Sequence, residues 1–576
     1  MEKFSVDLLI TNAKVFNVYR RMFMDWDVAV KDGKIFYCGK ETDALDPAEV
    51  IDAAGKWLVP GLIDIHMHIE SSMITPQAFA WAIARDGVTT IVSEPHEIAN
   101  VAGARGIQAM MDHLAVAGEA GGIVDILYAI PSSVPATDLE TTGGRIDAAE
   151  TAALMRNPNV VCLGEVMNFH DTVSADETRT RRIIHTVKAL DESMPIEGHC
   201  PRILGLDLAR MLYAGVDSDH CDQTAERTMA RVEQGMFVEI QYKSLLPEVI
   251  ECVEKNGLQE HCCLVTDDTM PDMLLTEGQL SRVYRKAVET GLSVENALYM
   301  ATYTPARRMR LVDRGAVAPG KLADFVLLDD PARFTVNAVY KNGKCIHSTA
   351  NPLQEPTVTP FPQDFYNSVK LSPLCDADFS PRVDAPDGDA TFRLIIRSDK
   401  LTMVEEGTVT LPVASGEIAW EGSGTALLAC FERYGKGGGR AYGFVSGTGI
   451  KRGAMASTLS HDHHNLMVMG HNKADMVLAA NLLIEKQGGY VVVENGKLLA
   501  FAPLTIGGIL SPKPLSGAAA DLAAVRAAME TLGETHVNPL MAFSVLGLAV
   551  SPNLKLTDKG LVRVREGRLV SLLADK

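Results

Sequence analysis

The sequence predicts an α/β protein: a (β/α)8, TIM-like barrel with a small split β domain and a C-terminal α/β domain. Three observations predict it. Residues 61–314 repeat a short apolar strand followed by a helical stretch eight times. β-like runs broken by tight turns flank that region at residues 1–60 and 315–350. A proline-rich tract at 351–364 reads as a linker, and further strands follow through residues 365–576. At 576 residues the chain is too long for one ordinary core, so two or three domains are expected.

The first part of the split domain reads DLLITNAKVFNV and DVAVKDGKIFYCG, with Asp32-Gly33 as a hairpin turn. Its second part, GAVAPGKLADFVLLD and VNAVYKNGKCI, turns at Asn342-Gly343. The eight barrel strands are read as LIDIHMH, TTIVSEP, VDILYAIP, VVCLGEV, MPIEGHC, GVDSDH, MFVEIQY and CCLVTDD. Between them, stretches such as Thr178 to Leu190 and Leu206 to Ala214 carry apolar residues at helical spacing. In the last domain AYGFVSG, GAMASTLS, NLMVMG and GYVVVENGKLLAFAP read as strands, with Asn495-Gly496 as a turn. Met476, Ala479, Ala480 and Leu483 mark one face of a helix that Gly488-Gly489 can stop.

Bulk properties narrow the function. A formal charge of −19 without a long Lys/Arg run disfavours nucleic-acid binding and points to a small-molecule substrate. The opening MEKFSVDLLITN lacks the features of a secretory signal, and no segment is apolar for long enough to cross a membrane. Ten cysteines without a C-x-x-C pair suit a reducing compartment, so a cytoplasmic protein is expected, with a homodimer as the commonest assembly.

Chemistry in a (β/α)8 barrel lies at the C-terminal strand ends. In the first strand, period-2 alternation places Asp64, His66 and His68 on one face and Ile63, Ile65 and Met67 on the other. Alone, an H-x-H is either half of a metal site or a pair of satisfied interior histidines. The other strand ends supply Glu165, His199, His220 and Asp267-Asp268. Six such nitrogen and oxygen donors are too many for one tetrahedral zinc with an open position; two divalent transition metals sharing a ligand use them all. Such a pair holds a hydroxide ready at neutral pH. Manganese, iron and zinc all tolerate the set.

Further candidates surround these. Asp64 reads as a partner orienting a histidine or as a floor residue bonded to backbone. Glu94, His96 and Glu97 leave strand two together, as substrate contacts, a proton relay, an accessory metal site or a polar loop. Ser132 and Ser133 reach a substrate ring or make turn hydrogen bonds. His461, Asp462, His463 and His464 form the densest histidine run, either a lid over the barrel or a solvated loop in which His463 and His464 point to opposite faces.

H-x-H on strand one, histidines on strands five and six and aspartate on strand eight resemble the amidohydrolase superfamily. GLIDIHMHIESSMITP, GVTTIVSEPHEIANV, LGEVMNF, EGHCP, VTDD and GFVSGTGIKRGAMASTLSHDHHNLMVMG resemble, in order, the motifs of the adenine deaminase family. That family is similar in using a strand-four glutamate where many amidohydrolases use a carboxylated lysine. The resemblance implies His66, His68, Glu165, His199, His220 and Asp267 as metal ligands and Asp267, Glu165 and His220 as catalytic residues, with Asp267 preferred over Asp268 for the ligand and for proton transfer. It implies hydrolytic deamination of adenine to hypoxanthine and ammonia by a metal-bridging hydroxide. The cytidine-deaminase signature is absent, and HEIAN has Asn100 where a zincin has its second histidine. After strand seven the chain departs from the family's Arg-Glu-Gly, reading Gln241-Tyr242-Lys243-Ser244. Gln241 is therefore a substrate-contact candidate, and a modified adenine, a pterin or a cyclic amide are alternative substrates.

Overall fold

A computed structural model of the chain describes residues 3–116, 122–399 and 403–574. All three Asx-Gly turns have both residues at positive φ: 50° and 72° at Asp32-Gly33, 50° and 75° at Asn342-Gly343, 53° and 71° at Asn495-Gly496. This is the mirror-image turn whose twist matches a hairpin, and it explains why Asp or Asn precedes Gly there. Five strands between Phe4 and Pro60 form one sheet with Phe325–Asp330, Thr335–Lys341 and Lys344–Ser348. Trp57–Pro60 runs antiparallel to Phe325–Asp330, with Val59 opposite Val326. The chain thus leaves this sheet at Pro60 and re-enters it beside its point of exit.

Between those points lie eight parallel strands in two arcs. Leu62–Met67, Val88–Ser93, Asp125–Pro131, Val160–Val166 and Ile196–Gly198 pair in that order; Ser218–Asp219, Phe237–Ile240 and Cys262–Leu264 form the second arc. The arcs meet at both seams. The Asp217 N–H donates to the Ile196 carbonyl at 3.0 Å, and the Asp267 N–H donates to the His66 carbonyl at 3.1 Å. Together they make the TIM-like arrangement expected from the eight-fold rhythm.

The first strand departs from simple alternation. Its pairing with the second strand shifts register between Asp64 and Met67. Ile63 and Ile65 pack with Val92, Ala129, Cys162, Cys263 and Val265, whereas Met67 joins the main core. The single face read from period 2 is therefore split, which separates Asp64 from the histidines.

The proline-rich tract is a strap rather than a free spacer. Trp81 Nε1 donates to the Leu353 carbonyl at 3.1 Å, the Thr359 N–H donates to Gln77 Oε1 at 2.8 Å, and the Phe361 ring stacks on His113 with centroids 4.5 Å apart. Beyond it, a nine-stranded sheet spans residues 388–503. The helix Lys473–Lys486 buries Met476, Ala479, Ala480 and Leu483 as expected, and ends at Gln487 in the left-handed region, one residue before the glycines. One hydrophobic core runs from the barrel helices into this C-terminal region, joining Phe79 and Ile98 to Leu504, Leu510 and Phe543.

Candidate active site

The strand ends bring the six predicted donors together. Glu165 is the last residue but one of the fourth strand, and its Oε2 lies 2.9 Å from His220 Nε2, 3.1 Å from His199 Nδ1 and 3.9 Å from His66 Nε2. His66 stacks on His220, ring centroids 3.7 Å apart. His68 donates from Nδ1 to the Glu94 carbonyl at 2.8 Å, which turns its Nε2 toward Asp267 Oδ1 at 3.5 Å. A ring nitrogen fixed in this way presents its other lone pair to an electrophile. His66, His68 and Asp267 form one tight donor group, and Glu165, His199 and His220 a second; Glu165 reaches His66 as well. His66, His68 and His220 are almost wholly buried, while the His199 side chain is 38% exposed and marks the open side.

A divalent metal is what the amidohydrolase resemblance implies, and the donors fit one. His66 Nε2 is buried with no hydrogen-bond partner and faces the Glu165 carboxylate. Burial opposes ionisation of Glu165, but His220 and His199 outweigh it and hold its carboxyl well below the usual range. Burial likewise opposes ionisation of Asp267, and His68, His220 and Lys243 overcome it. Burial pushes His66 down to about 3, leaving a neutral imidazole. Anionic oxygens and a neutral ring nitrogen are metal-binding forms.

The surrounding candidates separate. Asp268 is bonded to Ser71 Oγ, so of the two aspartates Asp267 faces the histidines. Asp64 orients no imidazole: its carboxylate accepts from the His66 backbone N–H at 3.3 Å and from Thr266 and Gln279, and burial lifts it to about 7. Ser132 and Ser133 donate to the Glu165 carbonyl at 2.8 and 3.3 Å, bracing strand four. Gln241 Nε2 donates to the His220 carbonyl at 2.6 Å, which ties strand seven to the end of strand six.

A second cluster adjoins the first, with the His68 and His96 rings 4.8 Å apart. Pro95 ends the path from strand two, and His96 and Glu97 open the helix His96–Ala102. Glu94 holds His96 at Nδ1 and also accepts from the Glu165 N–H at 3.2 Å. The C-terminal run meets them: His461 and His464 both contact the Glu97 carboxylate, and Asp462 Oδ1 lies 3.7 Å from His96 Nε2. Residues 460–465 are all buried, so the run is no solvated loop. His463 stays out of the cluster; its Nδ1 accepts from the Asn465 N–H at 2.9 Å. The run is fixed from behind by Arg433, fully buried and bonded to the carbonyls of His464 and Gly507, and by Tyr434, whose hydroxyl donates to the His463 carbonyl at 2.7 Å.

Sequence reasoning missed two acids inside the barrel. Glu239 Oε2 lies 3.9 Å from His66 Nδ1, and both its oxygens lack hydrogen-bond donors; burial, then the neighbouring Glu197, raises its pKa well above the usual range. Glu197 is paired with Arg308 at 2.5 Å. The available signal was position: Glu239 precedes Gln241 by two, on the same face of strand seven.

Comparison with known proteins is consistent along the chain. Residues 57–346 match the amidohydrolase family, and residues 402–568 match the adenine deaminase C-terminal domain. The chain is 46% identical over 574 residues to "Adenine deaminase 2" of Shouchella clausii (strain KSM-K16), covering 99% of each chain. It is 45% identical to "Adenine deaminase" of Clostridium perfringens (strain ATCC 13124), covering 98% of this chain and 99% of that one. It is 42% identical to "Adenine deaminase" of Lactobacillus delbrueckii subsp. bulgaricus, covering 98% of this chain and 99% of that one. With both regions matched and the likeness running from end to end, this chain belongs to the adenine deaminase family of the amidohydrolases.

Proposed function

We propose that the protein converts adenine and water to hypoxanthine and ammonia, using His66, His68, Glu165, His199, His220 and Asp267 to hold two divalent metal ions, manganese or iron ahead of zinc. The observation that carries the reading is the division of these six donors into two groups with Glu165 reaching both, in a chain identical at nearly half its positions to proteins named adenine deaminase. Bound there, such ions lower the pKa of water and supply a nucleophile at neutral pH.

The chain's own residues do the rest. Asp267, ionised and held by His68, takes a proton from the attacking water and delivers one to the departing exocyclic nitrogen. Glu165 is kept in place by the two serines on its carbonyl and by the Glu94 carboxylate on its N–H. Gln241 uses its amide N–H on the His220 backbone, which supports a bracing role for this one residue of the departure after strand seven. Ten free cysteines support a reducing, cytoplasmic setting, and a homodimer is the default assembly. No helix among the described residues is long and apolar enough to cross a membrane.

The test is ammonia release from adenine by protein grown with manganese, beside modified adenines, pterins and cyclic amides. Adenine turnover that a chelator abolishes and manganese restores is expected. Metal-loaded protein that leaves adenine intact while hydrolysing another of these rings would sink the proposal.

A further inference from the structure

The cluster formed by His96, Glu97, His461 and Asp462 lies outside the six-donor set, and three of its donor separations are longer than hydrogen bonds. His96 Nε2 is 3.6 Å from Glu97 Oε1 and 3.7 Å from Asp462 Oδ1, and His461 Nδ1 is 3.7 Å from the same Asp462 oxygen. These separations are too long for hydrogen bonds. They match the edges of a tetrahedron: donors about 2.1–2.2 Å from a central ion lie about 3.4–3.6 Å apart. Of the other three edges, His461 Nδ1 to Glu97 Oε1 is a direct hydrogen-bonded contact, which a bound ion would have to open. All four side chains are buried, and their donor atoms lie within 4.8 Å of one another.

Two further observations point to a cation. The first is how the donors are aimed. Glu94 engages His96 at Nδ1, which leaves the Nε2 lone pair facing the cluster. His464 Nδ1 accepts from the Ser460 N–H at 3.2 Å, so its Nε2–H donates to Glu97 Oε2 and turns Oε1 inward. A carboxylate behind a histidine and a histidine behind a carboxylate are the outer supports that metal ligands carry. The second is an unpartnered carboxylate oxygen amid concentrated negative charge. Asp462 Oδ2 is buried without a partner, and the ion-pair partners of Glu94, Glu97 and Asp462 among the described residues are all imidazoles. Against the cost of burial, these carboxylates hold His96 and His461 well above the usual imidazole range, so they draw positive charge into the cluster that a bound cation would supply in place of the protons.

We propose that His96 Nε2, Glu97 Oε1, His461 Nδ1 and Asp462 Oδ1 bind a third divalent transition-metal ion, beside the strand-end site and distinct from it. The donors come from the exit of strand two and from the C-terminal region, so the ion cross-links the two halves of the chain. Two nitrogens and two carboxylate oxygens suit manganese, iron or zinc over calcium or magnesium. Four protein donors with aimed supports are the pattern of a closed, structural site.

The experiment is manganese loading of the full chain after chelation, with metal counted per chain and located by anomalous diffraction. An anomalous peak between these four atoms is expected, with three equivalents per chain in total. Asp462→Asn, which keeps the side-chain shape, is expected to remove the cluster peak and one equivalent, and His461→Gln with Asp462→Asn to do so completely. His66→Ala with His68→Ala is expected to empty the strand-end site and leave the cluster peak in place. Strand-end peaks without a cluster peak overturn this inference and leave the proposed function standing. A cluster peak without strand-end peaks does the reverse. Unchanged metal content in Asp462→Asn protein that melts like wild type also overturns it.

Discussion

The two histidine-carboxylate clusters lie nearly ring to ring, yet they are built differently. The strand-end set takes every donor from one barrel, where each sits at or just beyond the end of a parallel strand. The cluster around Glu97 needs residues separated by 367 positions, as in the contact between Glu97 and His464, and exists only once the C-terminal region has docked. One is a product of strand register and the other of domain packing, so each should be removable while the other survives.

Removing His66 and His68 together gives the largest effect and tests that independence directly. His66→Ala with His68→Ala should lower adenine turnover to the assay background, while thermal unfolding still shows the C-terminal region docked. Next comes the contrast within strand eight. Asp267→Asn should lower kcat by about 10²–10⁴-fold, as loss of a proton-transfer group does. Asp268→Asn, which keeps an acceptor oxygen for Ser71 and removes only the charge, should cost less than about tenfold. Equal losses in the two variants would reverse the assignment.

Gly164 tests where the clusters are coupled. A Cβ there would come 2.9 Å from Ala129 Cβ and 3.0 Å from Glu94 Cγ. Glu94 braces Glu165 on one side and His96 on the other. Gly164→Ala should therefore disturb both clusters, lowering kcat/KM by about 10-fold and stability by about 1–3 kcal/mol. An unchanged melting temperature and rate would show that Glu94 moves freely.

The smallest effect on activity is expected at a buried group that bonds to neither cluster. Lys555, fully buried on the strand Leu554–Thr557, has no hydrogen-bond partner, and burial pushes its pKa down to about 7. The unfolded lysine, near pKa ~10.4, binds its proton more readily, so stability rises with pH between about 7 and 10. Below about 7 the folded lysine is charged and the penalty is complete. Lys555→Met should leave turnover unchanged, stabilise the protein at pH 7 by about 4 kcal/mol at most, and flatten that rise. Melting curves across this window are the check.

The comparison also explains what was legible. Each strand-end donor sits in a short motif at the end of an apolar strand, so local pattern brought His66, His68, Glu165, His199, His220 and the Asp267-Asp268 pair together, and the family resemblance chose Asp267 between the two aspartates. The reading of Asp64 as a partner of the histidines failed because a register shift between Asp64 and Met67 breaks the alternation it relied on. Glu239 and Glu197 were passed over for a different reason. An acid inside an apolar strand carries no signal of direction until its neighbours are in place, and the run of three histidines did not show that His464 turns to Glu97. His463, adjacent in sequence, faces away.

The sequence by itself determined the strands, the turns and which polar residues gather at the strand ends. These depend on interactions a few residues long: alternation along a strand, positive φ at Asx-Gly, and apolar spacing on a helix. Only the tertiary structure decided which aspartate faces the histidines, that the proline-rich tract straps the barrel, and that Glu97 meets the C-terminal histidines. Those outcomes depend on contacts between distant segments, set by a shared core and by buried anchors such as Arg433, which no local pattern encodes.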